Sequence, residues 1–181
     1  MTLSIDQCTE YPCSAELLHA TLTDETYWSD RVRDIGSGSR VVRHEVTADL
    51  TTSEVDQTLD PDAMPKGVRR LVGSTMSARC TERWRPIRPD GSAVGDYRLV
   101  TAGVPVVMAG DLALEPRGEH SCALIFRGTV EATMPVVGPV LEKMMAGDVD
   151  RGFSAEREFT MRWLVAQGTV PPTASAQSRR G

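Results

Sequence analysis

The chain has 181 residues, 40% hydrophobic and 25% charged, which is one domain's worth of ordinary globular composition. No run approaches the roughly 18 apolar residues of a membrane span, and no basic stretch followed by an apolar one opens the chain, so a cytoplasmic protein without an integral membrane segment is expected. The whole net charge of −5 falls in residues 1–36, and the basic residues form no block, which argues against a nucleic-acid partner.

Residues 3–11 read as a strand that Pro12 ends. Ser14 is placed to cap a helix over Ala15–Leu22, and Asp24 one over Glu25–Ile35. Tyr27, Trp28, Val32 and Ile35 give the second helix an apolar side. The GSGS run at 36–39 reads as a turn, because no strand–GxGxxG–helix context surrounds it. Residues 40–50 then alternate Val42, His44, Val46, Ala48 and Leu50 with Arg43, Glu45, Thr47 and Asp49. Residues 52–60 alternate Val55, Gln57 and Leu59 with Glu54, Asp56, Thr58 and Asp60. This is period two with one wet face.

Residues 61–73 break the alternation and are assigned one helical turn. Strands resume at 74–85, with Met76, Ala78, Cys80, Glu82 and Trp84 on one face, and at 94–102, with Tyr97 and Leu99 together. Two more follow at 104–115, carrying Met108, Gly110, Leu112 and Leu114, and at 121–132, carrying Cys122, Leu124, Phe126, Gly128 and Val130. Pro89–Ser92 and Arg117–Glu119 supply turns.

After Pro135 the period becomes 3.6, and Pro139 suits the start of a helix. Leu141, Met144, Met145, Ala155, Phe159, Trp163 and Ala166 share a sector of the wheel. A helix over 138–166 would be roughly 43 Å long. Gly147 and Gly152 predict a bend or break near 147–152. Residues 168–181, rich in Pro, Ser and Ala, are expected to be a disordered tail on a single domain spanning 1–167.

The order of elements predicts an α+β fold. A curved seven-stranded antiparallel sheet wraps around the long C-terminal helix, the only element able to cover it, and two short helices close one end. This order and several motifs resemble the START-like, or SRPBCC, superfamily with its helix-grip fold. Within it the chain resembles the uncharacterised actinobacterial family of the domain of unknown function 2505. The residues that carry the likeness are Leu22-Thr23-Asp24 with Tyr27-Trp28, then Thr81-Glu82-Arg83-Trp84. Arg127 to Ala132 followed by Pro135 to Gly138, Glu142, and Trp163-Leu164 complete the set. The resemblance implies a cavity for a lipid-, sterol- or polyketide-like molecule. Some members of the superfamily are aromatases or cyclases, and others only bind or transport.

On the predicted inner face, His44, Gln57, Glu82 and Tyr97 are polar. Buried polar groups either satisfy one another or meet a ligand. His44 is the first choice for moving a proton, as the residue type that titrates near neutrality, and Glu82 is its candidate partner. Met76, Met108, Leu112, Phe126, Met144, Met145 and Phe159 are the expected apolar lining, where thioethers suit an adaptable site or simply fill gaps. Three readings stay open. One is binding of a hydrophobic or amphipathic small molecule, another a cyclase or dehydratase using His44 and Glu82. The third is a non-catalytic interaction module or homodimer with a filled core. No cofactor or metal is expected. Cys8, Cys13, Cys80 and Cys122 contain no CxxC pair, and GxSxG, P-loop and HExxH motifs are absent.

Overall fold

Side-chain caps start both short helices. The Ser14 hydroxyl accepts a hydrogen bond from the Leu17 amide at 3.2 Å and opens α1 (Ala15–Leu22). The Asp24 carboxylate accepts one from the Tyr27 amide at 2.9 Å and opens α2 (Glu25–Ile35). The computed structural model describes residues 2–36, 38–59, 76–102, 106–133 and 138–171. The turn expected at 61–73, the Pro135 junction and the tail from 172 lie outside them.

Strand β1 (Thr2–Tyr11) precedes the two helices. After them come β2 (Arg40–Val46), β3 (Thr51–Leu59), β4 (Met76–Trp84), β5 (Ala93–Ala102), β6 (Val106–Gly118) and β7 (Ser121–Ala132). The last element is α3 (Gly138–Ala166). One antiparallel sheet runs in the order β1-β7-β6-β5-β4-β3-β2. It curves around α3, as the helix-grip arrangement requires. Phe153 of α3 packs on Phe126 of β7, ring centres 5.6 Å apart. Tyr27 of α2 meets Phe159 and Trp163 of α3 at 5.5 and 5.6 Å. Arg162 and the Trp163 indole add hydrogen bonds to Asp34 and Asp30 of α2.

Several expectations are corrected. Strand β2 stops at Val46 because the Thr47 amide turns back to the Leu50 carbonyl at 2.9 Å. A register shift between Val41 and Arg43 sets Val41 opposite the buried Val55 and leaves Val42 40% exposed, since one extra residue inverts the alternation. Ile35, expected on the apolar side of α2, is exposed at its end. On α3 Val149, Phe153, Glu156, Thr160 and Leu164 form a buried to half-buried stripe and Phe159 is buried against Tyr27, whereas Ala155 and Ala166 are exposed.

Helix α3 also runs unbroken through Gly147 and Gly152. Contacts on both sides of the glycines hold it. The buried Glu142 accepts from the Ala132 amide at 3.1 Å, and Phe153 packs on the sheet. Its end is a turn in which Gly168, at φ +71°, lets the Thr169 amide reach the Leu164 carbonyl at 3.1 Å. Gly168 and Thr169 therefore belong to the helix's closing turn.

Candidate functional site

Pairing register builds the site. His44, Ser53, Glu82, Tyr97, Gly110, Gly128 and Ile5 stand opposite one another in a single row that crosses all seven strands. Directly paired residues share a face of a sheet, so this row lies on the concave side. Next to it runs an apolar row of Val55, Cys80, Leu99, Met108 and Val130. On the other side stand Trp84, Leu112 and Phe126, all buried. A polar stripe thus crosses the middle of an otherwise apolar face.

The sheet itself requires the two glycines. A Cβ on Gly110 would stand 2.3 Å from the Arg127 carbonyl oxygen. One on Gly128 would stand 2.4 Å from the Ala109 carbonyl oxygen and 2.5 Å from the Phe126 ring. The β6 and β7 backbones approach too closely for any side chain.

Glu82 and His44 do not bond each other. The Trp84 indole donates to Glu82 Oε1 at 2.5 Å, while His44 Nδ1 meets the hydroxyl of buried Ser53 at 3.1 Å. The Tyr97 hydroxyl contacts the Cys80 thiol at 2.6 Å. Gln57 shares the concave face by register but sits at the end of β3. There it borders an open groove of about 740 Å³, lined mainly by outer-face residues including Arg40, Asp56 and Arg79. Met108 is buried in the core, and Phe159 packs on Tyr27. Met76 holds its register position opposite Leu59. The side chains of Met76, Met144 and Met145 lie outside the described part of the structure.

The helices add polar groups that sequence reading missed. Arg31 of α2 pairs with Glu156 of α3 at 3.0 Å, with side chains 16% and 12% exposed. Its other terminal nitrogen donates to the Tyr27 hydroxyl at 3.3 Å. The Tyr27 hydroxyl also meets Thr160 Oγ1 at 2.9 Å, and Thr160 donates to the Glu156 carbonyl at 2.8 Å. Tyr11, at the end of β1, brings a buried hydroxyl with no hydrogen-bond partner among the described residues. Thr160 lies near enough to lower the pKa of that hydroxyl but does not bond it by distance and angle.

Charge in this interior is unevenly matched. Burial, reinforced by the negative charge of Glu156, pushes the Glu82 carboxyl up to about 8 against the opposing pull of the Trp84 bond and Arg31. Burial raises Tyr27 to about 12 and holds Tyr97 and Tyr11 well above the ordinary phenol range. Near neutral pH the cluster therefore holds one ion pair, a largely protonated carboxyl and three phenol groups. Such a set can donate hydrogen bonds and can supply a proton. Among the described residues, no three His, Cys, Asp or Glu side chains gather as a metal site.

The chain matches the family described as "Protein of unknown function (DUF2505)" over residues 6–164. An uncharacterised relative, Rv0481c of Mycobacterium tuberculosis, is 24% identical over 171 residues, covering 91% of this chain and 98% of its own length. The Zhui aromatase/cyclase from Streptomyces sp. R1128 superposes with a TM-score of 0.57 at 13% identity, covering 88% of this chain and 92% of that one. Human STARD10 gives 0.58 at 12% identity, over 93% and 72%. A START superfamily protein from Mycobacterium smegmatis gives 0.53 at 14%, over 88% and 98%. At these identities the structural likenesses establish the fold. No helix among the described residues is long and apolar enough to cross a membrane.

Proposed function

The chain belongs to the DUF2505 family within the START-like superfamily, and from that premise and the site geometry we propose that it binds an apolar or amphipathic small molecule between the concave sheet face and α3. A lipid, a sterol-like molecule or a polyketide fits this description. The polar row of His44, Ser53, Glu82 and Tyr97 across an apolar face carries the reading. A core that only had to pack would avoid the cost of burying Glu82, Arg31 and Glu156 there. Apolar contact with Leu99, Met108, Leu112 and Phe126 supplies most of the affinity, and the polar groups select a head or ring substituent.

Native mass spectrometry of detergent-free protein, followed by solvent extraction, tests the reading. The expected result is a non-covalent adduct that is lost on unfolding. Empty protein, together with no thermal shift across a lipid and polyketide panel, would contradict it.

A second reading is supported by the raised Glu82 pKa, which suits a general acid near neutral pH. In it Glu82 protonates a bound oxygen, and His44, bonded to Ser53, is not its partner. Turnover of a recovered ligand that disappears in Glu82→Gln, with binding retained, would distinguish catalysis from binding.

A further inference from the structure

The polar groups at the α2–α3 end of the site bear on the charge of the ligand, granted the binding reading above. We propose that the cluster of Tyr11, Arg31, Glu156 and Glu82 takes an uncharged oxygen, a hydroxyl or carbonyl, of an otherwise apolar ligand, with Tyr11 as the donor, and rejects the matching carboxylate.

Tyr11 is 1% exposed, and its hydroxyl has no hydrogen-bond partner among the described residues. A buried hydroxyl left unpaired is costly, and a ligand acceptor removes that cost. The neighbouring polar groups are already engaged. Thr160 is used by Tyr27 and by the Glu156 carbonyl. Tyr27 is also used by Arg31. Burial keeps the Tyr11 phenol protonated, so it meets a ligand as a donor.

The surrounding charge decides which acceptor fits. The Arg31 guanidinium is neutralised by Glu156 at 3.0 Å and lies over the Trp28 ring at 5.7 Å. Burial, reinforced by the charge of Glu156, already holds the Glu82 carboxyl largely protonated. An incoming carboxylate would add a third acidic group beside a guanidinium that has its counter-ion. An uncharged oxygen accepts the Tyr11 bond without that repulsion. A ligand hydroxyl can also donate onward to a carboxyl oxygen.

Isothermal titration of the full chain at pH 7 with two matched sets tests this. One is 2-naphthol, 2-naphthoate and naphthalene, and the other is 1-decanol and decanoate. The alcohol of a set that binds should be tighter than its carboxylate by roughly tenfold or more. Tyr11→Phe should lower the 2-naphthol affinity roughly fivefold, toward that of naphthalene, and leave 2-naphthoate unchanged. The variant deletes an unpaired hydroxyl, so its melting temperature should hold or rise. A carboxylate that binds as tightly as its alcohol, or an alcohol affinity unaffected by Tyr11→Phe, would overturn the proposal while leaving the binding reading intact. If no member of either set binds, this proposal fails, and the binding reading fails with it only where native mass spectrometry also finds the protein empty.

Discussion

A carboxyl buried beside a second carboxyl holds its proton more tightly in the folded chain than in the unfolded one. For Glu82 the ordinary value of 4.5 rises to about 8, with Glu156 and Arg31 as the facing charges. Between these values the folded state binds more protons than the unfolded state, so this residue's contribution falls as pH rises, and the loss levels off above about 8. Glu82→Gln keeps an acceptor for the Trp84 indole and removes the titration. Relative to its stability at pH 4, the variant should gain on the parent by roughly 2–4 kcal/mol by pH 8. Parallel unfolding curves across that range would refute the assignment. Arg31→Met leaves Glu156 buried without its counter-ion and should cost about 2–4 kcal/mol, most of it recovered by adding Glu156→Leu. Urea denaturation of the two single variants and the double variant measures this. Alternation alone was enough to place His44, Glu82 and Tyr97 on one face. Ser53 was missed because its strand was read from its larger side chains. Arg31, Glu156, Thr160 and Tyr11 converge from α2, α3 and β1, and one-dimensional patterning carries no signal for contacts so distant in sequence.

Among the elements, glycines show how much local context decides. Gly128→Ala would force a Cβ to 2.4 Å from the Ala109 carbonyl oxygen, so it should destabilise by about 2 kcal/mol or more. Gly147→Ala and Gly152→Ala meet nothing within 4 Å. Each should stabilise by up to about 1 kcal/mol, the helix-propensity difference. Thermal melts of the three variants check the contrast. Caps and period changes located α1, α2 and α3 closely, because Ser14, Asp24 and Pro139 act on their own neighbours. The expected break at 147–152 overweighted propensity against the anchoring by Glu142 and Phe153. The phase of α3 was misread because its inward stripe carries Glu156 and Thr160, which an apolar count assigns to solvent. The β2 bulge gives no compositional signal: Val41 and Val42 are adjacent and identical, and only pairing with β3 selects Val41.

At the scale of the whole molecule, the curved sheet places its polar row beneath α3, and α2 brings Arg31 to the same interior. The open groove beside Arg40, Asp56 and Arg79 belongs mainly to the outer face. Its charges are largely spent on one another, since Arg40 and Arg79 both bond Asp56. A ligand seated in the grip and one seated in that groove would therefore touch opposite sides of the same strands. Chemical-shift mapping of the isotope-labelled full chain, titrated with 2-naphthol, separates them. A ligand in the grip should shift Cys80, Glu82, Tyr97 and Phe126 on the sheet and Phe153, Glu156 and Thr160 on α3, with Arg79, Arg83 and Arg98 little changed. Shifts confined to Arg40, Asp56 and Arg79, or no shifts at saturating 2-naphthol, would contradict a binding site inside the grip.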